Sequence, residues 1–390
     1  MNKLRPNIEE CEKLLRALVR TDTSQPAGNE GMLADWILKE LQGKDSSGIL
    51  EYSFLEHGGK RKSLVVKIKG RREGKGTAFA GHLDTVACEA DKDWIYAPLN
   101  AAVENGILYG RGAADMKGGV AAMMLTAEYL LSRGERPEEP VFFFFTADEE
   151  KDGIGARTLV EKGYMDQVGK LFICEPSNRE VGFCEKGALW IRTEIHGASA
   201  HASRPEIGRN AIEYAMKFER EFRKKITAGE PHRELGKSTM SITRLEGGIM
   251  TNIIPDKAVM EMDIRTVPGI LHKELIRCAE EIAQNMEEQC EALKCCVTVM
   301  NDRPAVETDP EDSFVKAVRR AAEMAGMEGK LRGLYFYTDA SQLIPGTGIP
   351  FVILGPGDDK MAHCVNEKIS LAEIAEMTET YLRFLQDEVL

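Results

Sequence analysis

Seven histidines are spread over 390 residues, and two of them stand near carboxylates just after apolar runs. His82 lies in Gly81-His82-Leu83-Asp84-Thr85-Val86. On an extended chain, residues two apart face the same way, so Asp84 can hold the second ring nitrogen of His82, as acidic neighbours of metal-bound imidazoles do. Read alone, this stretch fits a polar loop as well as a metal site. The run Gly110 to Gly119 is rich in glycine and opens a helix. It lacks the Gly-Lys-Ser/Thr ending of a phosphate loop, and Asp115 stands where a phosphate would sit. A carboxylate on a tight turn can offer one oxygen to each of two cations. Asp148-Glu149-Glu150 follows a strand of four phenylalanines; in isolation such a run is a solvated turn. Adjacent extended residues point opposite ways, however, so one glutamate can bind a metal while its neighbour faces a water on that metal. Glu175 closes the apolar run 170–174, and His363 follows the run 351–357. Two imidazoles and three carboxylates at strand ends suit a pair of zinc ions, which two-metal hydrolases hold about 3.5–4 Å apart around an activated water.

These residues act together only if the chain carries them to one place. The first ~45 residues read as helical, with Ile8, Cys11, Leu14, Leu15 and Leu18 on one face and Ala34, Ile37, Leu38 and Leu41 repeating the spacing. Apolar runs at 63–68, 76–80, 140–145 and 170–174 read as strands, and a helix is expected over 117–131. Apolar strands alternating with helices imply an α/β sheet covered on both faces. From residue 183 the pattern becomes strand 189–195, helix 210–225, strands 238–246 and 257–266, helix 271–293 and strand 295–300. That β-α-β-β-α-β order is the ferredoxin-like one. A helix over 312–325 and a strand over 351–355 return to the first texture. The expected parse is a catalytic α/β domain, 1–182 and 301–390, interrupted by an inserted α+β domain, 183–300.

A chain of this length exceeds the size at which one core stops growing, in agreement with two domains. Asp and Glu number 63 against 51 Lys and Arg, a net charge of -12, which argues against a nucleic-acid partner. The start of the chain has no apolar signal core, and no run is long enough to span a bilayer. Nine cysteines, an odd number without a CxxC pair, read as reduced thiols. A cytoplasmic protein without a membrane partner is expected.

The ordered blocks GHLDTV, GRGAADMKGG, FTADEE, CEPS, GASAHASRPEIGRNAI, TNIIPDKAVMEMDIR and GPGDDKMAHCVNE run from His82 to Glu367. In them the chain resembles the metallopeptidases that include acetylornithine deacetylase, succinyl-diaminopimelate desuccinylase, aminoacylase and carboxypeptidase G. The resemblance implies a zinc-exopeptidase-like catalytic domain with an inserted ferredoxin-like domain acting as lid and dimerisation surface. It implies two zinc ions per subunit, with cobalt or manganese as substitutes. One would be held by His82, Asp115 and Glu150, the other by Asp115, Glu175 and His363, with Asp115 bridging. Glu149 would be the general base toward the shared water, and Asp84 would orient His82. His201 would reach a partner subunit's site in a homodimer and stabilise the oxyanion. Asn252 and Arg265 would contact substrate, Arg265 as a carboxylate clamp, with an ion pair to Glu261 or Asp263 as its competing use. The segment 333–340 would border the pocket, and His57, His232 and His272 are assigned to the surface. The implied reaction is metal-dependent hydrolysis of the amide bond of an N-acyl amino acid. The alternative is a metallo-carboxypeptidase or dipeptidase acting on short peptides. Glu175, rather than Asp, tilts the resemblance toward deacylases, while Glu185-Lys186-Gly187-Ala188 departs from the desuccinylase pattern.

Overall fold

Four consecutive phenylalanines need a strand covered on both sides, and Val141–Thr146 is buried at every position. Phe143 and Phe145 join one large core with Phe79 and Phe172, while Phe144 meets Tyr164 edge-on with ring centroids 6.4 Å apart. The computed structural model describes residues 4–87, 93–134 and 136–388; Cys88 lies outside them. The chain forms two compact units, Met1–Cys184 with Glu307–Arg332 and Thr338–Leu390, and Glu185–Val306 with Gly333–Tyr337.

The first unit is built on a mixed sheet. Seven of its nine strands run in the order Leu50–Glu56, Lys62–Ile68, Val141–Thr146, Gly76–His82, Val168–Pro176, Phe351–Gly355 and Val181–Glu185. The third to sixth of these are mutually parallel. His82 therefore lies opposite Thr146 and Gly355 opposite Pro176, so the chain leaves all four strands at the same edge of the sheet. Helices Ile8–Arg20, Glu30–Gln42, Gly118–Arg133, Ser313–Ala325 and Leu371–Glu388 bury their apolar stripes in the large core. The first is opened by a reciprocal cap, in which Asn7 and Glu10 each accept from the other's backbone amide. Leu14, Leu15 and Leu18 are buried as their spacing requires, but Ile8, expected on that face, is exposed. It sits at the helix's first residue, before the stripe meets a neighbour.

Two glycines let the helix and the strands close up. A Cβ on Gly119 would lie 2.0 Å from the Cys174 carbonyl oxygen, and one on Gly355 would lie 2.2 Å from the same atom. The backbone beside Glu175 is thus pinched between the start of helix Gly118–Arg133 and strand Phe351–Gly355.

The second unit has strand Gly187–His196, helix Ala211–Ile226, strands Thr239–Gly247 and Lys257–Thr266, helix His272–Gln289 and strand Lys294–Arg303. The third strand lies between the second and the first, and the fourth pairs on the first strand's other side, the ferredoxin-like arrangement. Leu189, Ile191, Met260, Met262 and Ile264 pack with helix residues such as Phe218, Phe222 and Ile282. The alternate residues, Ala188, Trp190, Asp263 and Arg265 among them, point to the opposite face of the sheet. Among the described residues no helix is long and apolar enough to cross a membrane, and the eight described cysteines are free.

Candidate metal centre

Each parallel strand delivers one piece of the site as it leaves the sheet edge, the place where open α/β sheets bind ligands. His82 is the last residue of its strand, Glu175 the penultimate residue of its own, and Glu149 and Glu150 come three and four residues after Thr146, the last residue of theirs. Asp115 comes from the irregular turn Ala113–Lys117 that starts helix Gly118–Arg133. His363 follows the short turn Asp359–Met361.

The five side chains converge. His82 Nε2 lies 3.2 Å from Asp115 Oδ1 and 3.4 Å from Glu175 Oε1. His363 Nε2 lies 2.9 Å from Glu150 Oε2 and 3.4 Å from Asp115 Oδ2. His82, Asp115 and Glu150 can each also bring one ligand atom within 4.8 Å of the others, and so can His82, Glu149 and Glu175. The direct contacts pair Glu175 with His82 and Glu150 with His363, whereas the sequence reading groups Glu150 with His82. Both glutamates stand at or just after a strand end, and only the order of the strands in the sheet decides which imidazole each one meets.

The residues fit a pair of cations. Glu150 Oε1 is buried and has no hydrogen-bond partner, an acceptor of the kind a metal satisfies. The acidity of the groups points the same way. Burial raises Glu149 well above the usual carboxylate range, against the pull of His82 and with reinforcement from Asp339, Glu175 and Glu150. Burial likewise pushes Glu175 up to about 7, opposed by His82 and helped by Asp115. Burial would lower His82, but Glu175, Asp115 and Asp84 outweigh it and hold the ring well above its usual value. Crowded, dehydrated carboxylates repel one another, and a multivalent cation removes that conflict.

The wider chain carries the same signature. A model of peptidase family M20/M25/M40 matches residues 78–387. The chain belongs to that family. It is accordingly a metal-binding hydrolase of the metallopeptidase type. A probable succinyl-diaminopimelate desuccinylase of Staphylococcus aureus is 27% identical over 358 residues, covering 82% of this chain and 88% of that protein. A tripeptidase from Staphylococcus aureus has the same fold, with a TM-score of 0.78 at 22% identity and 98% of each chain covered. The YXEP protein of Bacillus subtilis, described as a dinuclear metal binding peptidase, superposes with a TM-score of 0.69 at 18% identity over 97% of each chain.

Within this family member, the residues around the candidate ligands are as organised as the candidate ligands themselves. His82 Nδ1 faces the Asp84 backbone oxygen at 3.0 Å, nearer than the Asp84 carboxylate at 3.6 Å. The carboxylate instead accepts from the Glu149 and Glu150 amides at 3.1 and 3.2 Å and from Gln25 Nε2 at 2.8 Å. Asp84 therefore positions the two glutamates as well as the imidazole. Glu367, to which sequence reasoning assigned no role, is fully buried. One of its oxygens accepts from Arg111 Nη1 and the Gly112 amide, both at 2.9 Å, and the other from the Ala114 and Asp115 amides at 2.8 and 3.0 Å. It ties the turn bearing Asp115 to the segment bearing His363. Its only sequence signal is its place four residues after His363. Asp339, which accepts from Thr146 Oγ1 at 2.6 Å, was also missed as an individual residue.

The remaining expected site residues belong to the second unit. His201 lies on the two-residue strand Ala200–His201, paired with Ile253–Ile254, and is exposed with Nδ1 2.7 Å from Ser203 Oγ. Asn252 is exposed, and its backbone oxygen accepts from the Ala202 amide at 2.9 Å. The Arg265 guanidinium is closed by Asp263 in a two-pronged contact of 2.8 and 3.0 Å, the competing use foreseen for it. His272 departs from expectation: it is buried, with Nε2 2.7 Å from Thr266 Oγ1 and Nδ1 2.6 Å from Asp302 Oδ1. It opens its helix at the end of the sheet and serves the packing there. His57 and His232 are half-buried.

Proposed function

We propose that this chain hydrolyses the amide bond of an N-acyl amino acid at a two-cation centre. The observation that carries the reading is Asp115, whose two oxygens face two different imidazoles, 3.2 Å from His82 and 3.4 Å from His363. The contacts favour one cation held by His82, Asp115 and Glu175 and another by Asp115, Glu150 and His363. Zinc suits this mixture of nitrogen and oxygen donors, and cobalt or manganese can take its place. Bound there, the cations supply polarisation of the scissile carbonyl and acidification of water.

Glu149 is the residue that moves the proton. It is buried and adjoins the ligand cluster without being needed to fill it, a placement that suits a base that takes a proton from water and returns it to the leaving nitrogen. Asp84 orients His82 and the Glu149 backbone. In the second unit, His201 has an exposed ring suited to stabilising an oxyanion in a partner subunit's site, with that unit acting as lid and dimerisation surface. Asn252 and Arg265 are assigned to substrate contact. The desuccinylase relative supports an acylated amino acid as substrate, and a cytoplasmic setting belongs to the same reading. A carboxypeptidase or dipeptidase acting on short peptides would use the same centre.

Metal analysis and a panel of N-acyl amino acids and dipeptides test the reading. Glu149→Ala should lower turnover about 10²–10⁴-fold while metal stays bound; retained activity would remove Glu149 from the role. His363→Ala should lower the metal stoichiometry, and unchanged content would exclude it as a ligand.

A further inference from the structure

Arg303 ends the last strand of the second unit and is 1% exposed. Both of its Nη atoms are buried and have no hydrogen-bond partner. A guanidinium has five donors and cannot shed its charge, and an isolated buried charge is strongly disfavoured unless something pairs with it. Arg265 is its near counterpart. Both residues lie opposite Ala188 in the strand register, one on each side, so the three side chains share the face turned away from the helices. Both guanidiniums approach the Tyr337 ring, with Cζ 5.8 Å from its centroid for Arg265 and 5.4 Å for Arg303. Ala188 contributes a single methyl between them. The two differ in one respect: Arg265 is neutralised by Asp263, whereas no ion pair to Arg303 is found among the described residues. Lys186 adds to the positive field of this face, its amine held below the usual range by burial and by the charge of Arg265.

From this geometry we infer that Arg303, beside Arg265 and Tyr337, forms a carboxylate-binding site of the second unit. A planar carboxylate matches a guanidinium whose Nη pair is unused. If the amidase reading above is right, the occupant is the free carboxylate of the substrate. The residue that recognises it is then Arg303, more than the Arg265 singled out by the sequence. The site itself does not depend on that reading.

Glutarate serves as the probe, with the metal-loaded enzyme followed by thermal unfolding and a matched pair of N-acyl substrates, one with a free carboxylate and one with a carboxamide. Glutarate should raise the wild-type midpoint by a few degrees near saturation. Arg303→Met should abolish that rise with unchanged metal content and without lowering the ligand-free midpoint, since it removes an unpaired buried charge. Arg303→Lys should restore part of it. KM for the carboxylate substrate should rise at least tenfold in Arg303→Met, while KM for the carboxamide and kcat for both stay within about twofold. Equal glutarate stabilisation of wild type and Arg303→Met, or none in the wild type, overturns the site. So does a fall in the ligand-free midpoint of Arg303→Met together with an equal loss on both substrates, which marks a structural residue. Absence of amide hydrolysis with an Arg303-dependent glutarate response would reject the proposed reaction and leave the anion site standing.

Discussion

Asp115 and Glu367 show how a proposed ligand and its support divide the work. Asp115 has both oxygens directed at imidazoles, so it cannot also hold its own turn in place. Glu367 does that, through four donors drawn from Arg111 and three backbone amides. Glu367→Ala should therefore weaken metal binding about 10–100-fold, read by competition with a chelating dye. It should also cost about 3–5 kcal/mol of stability, because Arg111 is left buried with its partner gone. Adding Arg111→Met should recover part of the stability and none of the metal affinity. If both return together, Glu367 supports the fold and not the ligand. At this scale the sequence was informative about residue type and silent about partners. His82, Glu149, Glu150, Glu175 and His363 stand out because each is polar at or after the end of an apolar run, and Asp115 because it sits in a glycine-rich run that opens a helix. Nothing in their spacing assigns Glu175 to His82, because that neighbour is 93 positions away in the chain.

The elements matter through the edge they share. Four parallel strands release their chains on one side, and the start of helix Gly118–Arg133 is pressed against the Glu175 strand closely enough to exclude a Cβ. This reverses an ordinary expectation. Glycine in a helix normally costs about 1 kcal/mol relative to alanine, so Gly119→Ala should stabilise on propensity alone. Here it should destabilise, by about 1–3 kcal/mol as an overpacking change, and disturb the metal centre through Cys174 and Glu175. The midpoint of urea unfolding checks the sign, and a more stable variant would show that the contact relaxes freely. The central strands and the ferredoxin-like order were legible because their apolar periodicities are strong. Strand Leu50–Glu56 was not, since an edge strand with exposed residues on both faces carries a diluted pattern. Helix Leu371–Glu388 has a readable stripe but lies beyond the last chemistry-bearing segment.

At the scale of the molecule, the acidic groups set how stability responds to pH. Glu30 is fully buried at the start of its helix and is raised from 4.5 to about 7, first by burial and then by the Asp84 charge, with Arg61 pulling the other way. The folded protein thus holds a proton on Glu30 that the unfolded chain has released. Its contribution is fully present below about pH 4.5 and is lost as pH rises through 7, a change of about 3 kcal/mol. Glu30→Gln should flatten the stability profile between those limits, as followed by urea unfolding at stepped pH. An unaltered slope would show that Glu30 is ionised throughout.

Local patterning alone pointed to an α/β unit, a β-α-β-β-α-β unit and a set of candidate metal donors, most of them at strand ends. Strand periodicity and the polar residue that terminates it are both written within a few neighbouring positions. Long-range contact decided the rest. It set which glutamate meets which histidine, and it placed Glu367 beneath Asp115. It closed Arg265 with Asp263 and left Arg303 with its Nη atoms unpaired. Those outcomes depend on strand order, register and burial, and no short stretch of residues encodes them.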